Sequence, residues 1–194
     1  MQKTEQFENV NEKIKYEREI IKILLLYGNR KVDFEQLVEE KEAYKKKEYY
    51  TNIVAQEIYL SLQEDETEFT NTLFQKVYFD LINQLNQDEI INTDSFINHS
   101  NNEIASLVTD ILMDDEEHVL SDWERRQIQV KQKDSNLSKL VMDAIYNLRR
   151  ILIEEKIESL KLETSFEENY SILDTVVDYT NLKSRLSERL NRVL

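Results

Sequence analysis

A single glycine, Gly28, and not one proline occur in 194 residues. Hairpins and parallel-sheet crossovers lean on glycine, proline and Asn-Gly turns, so a chain this poor in them and rich in Leu, Ile, Glu, Lys and Gln is expected to be all-α. The same scarcity removes whole classes of chemistry. Loops that cradle nucleotide phosphates need several glycines to bring backbone close to the ligand, and one cannot supply them.

Helical period then divides the chain. Over residues 134–163 the apolar residues Leu137, Leu140, Val141, Ala144, Ile145, Leu148, Ile151 and Leu152 recur at intervals of three and four, which marks one buried face of a long helix. Its first half is apolar enough to belong to a bundle. From Ile153 it is richer in charge, as one arm of a hairpin would be. Upstream, residues 1–10 lack periodicity and read as a disordered leader, while residues 11–27 form a first helix through Ile14, Ile20, Ile21, Leu24, Leu25 and Tyr27. It stops at Gly28, where a left-handed C-cap is expected.

Residues 31–47 read as a charged helical turn or an ordered loop, and 49–62 return to helical period. The stripe Leu73, Phe74, Val77, Tyr78, Leu81, Ile82 and Leu85, capped by Thr70 or Asn71, is expected at the centre of the core. A short helix with Phe96 and Ile97 inward follows, then one built on Ile104, Leu107, Val108, Ile111 and Leu112. Residues 113–133 are acidic and then mixed, with Val119, Leu120 and Trp123 as anchors over the bundle. A final helix from about Tyr170 carries Ile172, Leu173, Val176, Val177, Tyr179, Leu182, Leu186, Leu190 and Val193. The fold expected is a multi-helix bundle over 11–150, continued by the long helix into a C-terminal helical hairpin over 151–194.

Charge and residue type narrow the function. A formal net charge of −14 repels a phosphate backbone and argues against binding nucleic acid or an anionic membrane. No apolar run is long enough to span a bilayer and the first residues are too polar for a signal peptide, so a soluble, cytoplasmic protein is expected. There is no cysteine for a disulfide or thiolate metal site. Neither His99 nor His118 follows a glutamate by three, as a di-metal carboxylate bundle requires, and the acidic run 114–117 lacks the glycine and alternating ligands of a calcium loop. No catalytic, metal or cofactor-binding residue is assigned, and no cofactor is expected.

What remains is binding. The last fourteen residues set Lys183, Arg185, Arg189 and Arg192 against Glu188 alone. Two helices cannot hide every apolar residue of such a hairpin, so unless it folds back onto the bundle it should present apolar surface to another chain.

Three segments carry a resemblance. The opening Glu17-Arg18-Glu19-Ile20-Ile21-Lys22-Ile23-Leu24-Leu25-Leu26-Tyr27-Gly28-Asn29, the long helix with Tyr146-Asn147-Leu148-Arg149-Arg150-Ile151-Leu152-Ile153-Glu154-Glu155, and the terminal helix over 182–194 resemble the C-terminal region of bacterial replicative DNA primase. The likeness covers residues 14–194, and residues 31–47 and 113–133 have no clear match in it. It implies a helicase-binding domain: a bundle similar to the N-terminal domain of the replicative helicase, then a hairpin that docks on the helicase hexamer. The zinc-binding and RNA-polymerising portions of such a primase would lie upstream, so this part would not prime by itself. On that view Ile172, Leu173, Val176, Tyr179, Leu182, Leu186 and Leu190 divide between closing the hairpin and touching the helicase. Lys183, Arg185, Arg189 and Arg192 steer or pair with acidic residues. The alternative is a self-associating helical structural or adaptor protein with no helicase partner, whose hairpin packs on its own copy; alone, the chain is expected as a monomer or weak dimer.

Overall fold

A computed structural model describes residues 2–38, 46–87, 90–123, 133–164 and 170–190. The chain is mostly helical, as its composition requires, and divides into two compact units, Glu17–Met142 and a second made of Met1–Tyr16 with Asp143–Leu194. In order, the elements are α1 (Gln2–Tyr27), β1 (Lys31–Val38), β2 (Lys46–Ile53), α2 (Val54–Glu64), α3 (Thr72–Asn86), α4 (Thr93–Ile97), α5 (Asn102–Trp123), α6 (Lys133–Thr164) and α7 (Tyr170–Arg189).

The Glu17–Met142 unit is a bundle around the second half of α1, where Ile20, Ile21, Ile23 and Leu24 are fully buried. The same unit buries Phe74, Val77, Tyr78, Leu81 and Ile82 from the stripe of α3, with Ile104, Val108 and Ile111 from α5. The start of α3 shows how polar backbone is handled in such a core. Asn71 accepts from the amides of Leu73 and Phe74, and the buried carboxylate of Glu17 accepts from those of Thr70 at 2.6 Å and Asn71 at 3.2 Å. Amides that the helix itself cannot satisfy, at its positive dipole end, thus meet a negative group. Arg18, one residue on, pairs with Asp114 of α5.

Several expectations need correction. Residues 2–10, read as a leader, are the first turns of α1. The stretch after Arg30 is a β-hairpin, with β1 and β2 antiparallel in the register Val32↔Asn52, Asp33↔Thr51, Phe34↔Tyr50 and Glu35↔Tyr49. Val32 and Phe34 are buried and Lys31, Asp33 and Glu35 exposed, the alternation of a strand with one covered face. The helical reading of 49–62 therefore fails before Val54. Tyr50 stacks obliquely on Phe34 at 5.9 Å and donates its hydroxyl to Glu57 of α2 at 2.7 Å, and Asn52 donates to the same carboxylate at 3.0 Å. Within the short α4, Phe96 is buried as expected but Ile97 is 40 % exposed.

Gly28 ends α1, yet not as a left-handed cap, since the glycine has no positive φ. It is needed for space. A Cβ there would overlap the Leu24 carbonyl oxygen and come within 2.7 Å of Ile91 Cδ1.

The long helix α6 has 32 residues, about 48 Å at ~1.5 Å each. Leu137, Val141, Ala144, Ile145, Leu148 and Ile151 hold the buried face that its sequence foretells, while Leu140 is 39 % exposed. Among the described residues, no helix is long and apolar enough to cross a membrane.

Candidate docking surface

In the second unit α6 and α7 form the expected helical hairpin. Ile153 and Ile157 of α6 and Leu186 of α7 are its buried centre, with Tyr146, Val176 and Tyr179 packed against them. Polar pairs fix the direction. Glu154 meets Lys183 at 2.8 Å, and Tyr146 meets Arg189. Moving back along α6 thus moves forward along α7, which makes the pair antiparallel.

These contacts sort the predicted residues by burial. Leu186 is a closing residue, 6 % exposed. Ile172, Val176, Tyr179, Lys183 and Leu190 are half-buried. Leu173 and Leu182 remain outside, 52 % and 45 % exposed, as do Arg185 and Arg189. Val177, outside the predicted set, is the most exposed of the three at 56 %. Its signal was present: Val177 lies four residues after Leu173 and so one turn along the same face.

The cations are less available than a linear count of charge suggests. Lys183 Nζ shares Glu154 Oε1 with Arg150 Nη1, both at 2.8 Å. Arg189 lies over the Tyr146 ring, 5.4 Å from its centroid, and donates from Nη1 to the Tyr146 hydroxyl at 2.9 Å. Both bonds are internal to the hairpin. Arg150 also reaches Glu12 at 3.2 Å, while Lys13 pairs with Glu155 at 2.9 Å, so α1 is tied to α6 in this unit. Burial opposes the Arg150 charge, but Glu154, Glu12 and Tyr16 outweigh it and hold the guanidinium above its ordinary value. Arg192, the side chains at 115–118, which include His118, and the Trp123 side chain lie outside the described residues.

Among the described residues no group of three or more His, Cys, Asp or Glu is placed to hold a metal ion. His99 accepts from the Asn101 amide at Nδ1, 3.0 Å, and faces Asp80 at 3.8 Å, an arrangement that orders the turn before α5.

Residues 3–193 match a family model described as Domain of unknown function (DUF8430). The chain belongs to this family. No curated protein and no solved structure matches it. Because the DUF8430 match spans bundle and hairpin alike, the exposed face of α7 is part of the family's domain and not an appendage to it.

Proposed function

We propose that the chain is the helicase-binding domain of a bacterial replicative DNA primase. It couples primer synthesis to the helicase at the replication fork, acts in the cytoplasm, and has no catalytic site or cofactor of its own. One observation carries the reading. The hairpin is already closed by Leu186, Val176 and Tyr179, yet α7 keeps Leu173, Val177 and Leu182 in solvent. Large apolar side chains not needed for closure are the hallmark of a surface that another protein covers. The order of bundle, long helix and hairpin supports the same reading, being the order that the primase resemblance implies.

The test is binding of the full chain to the hexameric replicative helicase of the same organism, followed by analytical ultracentrifugation. Wild type should sediment with the hexamer. A Leu173→Asp/Val177→Asp variant should bind roughly 100-fold more weakly, since each lost apolar burial costs on the order of 1–2 kcal/mol. A wild-type chain that ignores the helicase and instead dimerises as its concentration rises would replace this reading with self-association.

A further inference from the structure

Lys183 is held by Glu154 of α6, and Arg189, though exposed, is anchored on the neutral Tyr146 ring and keeps its charge. The exposed charged residues of α7 are Asp174, Asp178, Arg185, Glu188 and Arg189, and the two beside Leu173 and Val177 are both acidic, while the cations lie further along the helix. Asp174, Asp178 and Arg185 make no ion pair with a described residue. Asp174 and Asp178 each directly follow an exposed apolar residue, Leu173 and Val177, so two apolar side chains one turn apart are flanked by two carboxylates one turn apart.

We infer that this face receives a basic amphipathic helix of the partner, with apolar residues seated on Leu173 and Val177 and Lys or Arg side chains reaching Asp174 and Asp178. The partner's identity rests on the helicase reading, but its chemistry does not. Charge complementarity selects this occupant. An acidic partner segment would bring like charges together beside the apolar contact, and like-charge juxtaposition suppresses binding. A second copy of α7 laid parallel would do the same, Asp174 and Asp178 meeting their own kind. The inference shifts the charged contact from the tail's cations, which the sequence offers for steering or for pairing with acidic residues, to Asp174 and Asp178.

Two helical peptides test it on the full chain: one with leucines four apart flanked by lysines, and its twin with glutamates in place of the lysines. Wild type should bind the lysine peptide and prefer it to the glutamate twin. Asp174→Lys/Asp178→Lys should weaken the lysine peptide roughly tenfold at low salt, and the difference should shrink as salt is raised. Because both aspartates are exposed, the variant should melt as wild type does; Asp174→Asn/Asp178→Asn gives the same comparison without added charge. If the variants hold the lysine peptide as tightly as wild type, or wild type fails to prefer it, the inference falls whatever the helicase does. If the peptides are discriminated but the helicase is not bound, the inference stands and the helicase reading falls.

Discussion

Asn29 and Ile91 exchange two hydrogen bonds: Asn29 Nδ2 donates to the Ile91 carbonyl and the Ile91 amide donates to Asn29 Oδ1, each at 2.9 Å. One side chain thereby does for the buried Ile91 what a neighbouring strand would do, 62 residues away in sequence. Asn29→Ala should remove both partners at once and destabilise the Glu17–Met142 unit by about 1–3 kcal/mol, the net worth of two part-buried hydrogen bonds. Urea unfolding of the full chain measures it. A loss below half a kcal/mol would mean that water replaces the amide at no cost.

Gly28 offers a substitution that separates two explanations of one residue. A left-handed cap would accept Asn nearly as well as Gly. Close approach to Leu24 and Ile91 accepts neither Asn nor Ala. Both Gly28→Ala and Gly28→Asn should therefore destabilise, by roughly 2–3 kcal/mol through overpacking. Equal stability of the Asn variant and wild type in a thermal melt would restore the cap explanation.

Leu186 and Leu173 lie on the same helix with opposite duties. Leu186→Ala opens a hole between Ile153 and Ile157 and should cost about 2–4 kcal/mol. Leu173→Ala should change stability by less than about 0.5 kcal/mol. Hydrogen exchange resolves the difference locally. Amides of α7 should exchange faster in the first variant and at the wild-type rate in the second.

Tyr78 is buried in the bundle beside Phe69, with ring centroids 4.9 Å apart. Burial, and then the second phenol of Tyr59, push its hydroxyl up to about 12 from the ordinary 10.0. The unfolded chain releases that proton near pH 10 and the folded chain does not, so the unfolded state binds fewer protons between the two values. Stability is unaffected below pH 10 and is lost as pH rises toward 12. Tyr78→Phe should flatten this part of the stability profile, which chemical denaturation at several alkaline pH values would read directly.

Periodicity alone revealed α3 and α6 almost to their ends, because a helix that buries one face writes its contacts at three- and four-residue spacing. The β-hairpin was harder. Its buried face shows in sequence as Val32 and Phe34, too short an alternation to outweigh the charges around it, and Tyr50, Ile53 and Val54 fit a helical spacing as well as a strand ending where α2 begins. Gly28 was readable as a stop but not as a close approach, since Ile91 comes from a distant segment. In the candidate docking surface, Leu173 and Leu182 were visible as candidates and Val177 was missed. The tethering of Lys183 and Arg189 had no local trace at all. Their partners, Glu154 and Tyr146, lie on the other arm and become neighbours only once the hairpin closes.

Glu154 receives Arg150 and Lys183 on one carboxylate oxygen. It has no place on the outward side of α7, yet it determines how much positive charge the hairpin shows to an approaching molecule. In kinetic terms it is a remote control on encounter. Glu154→Gln would leave the two cations short of one compensating charge and raise the net local charge by one unit, which slows the arrival of a basic partner more than it alters the rate of departure. A drop in association rate that vanishes at high salt would be its signature, produced by a residue that need never touch what binds.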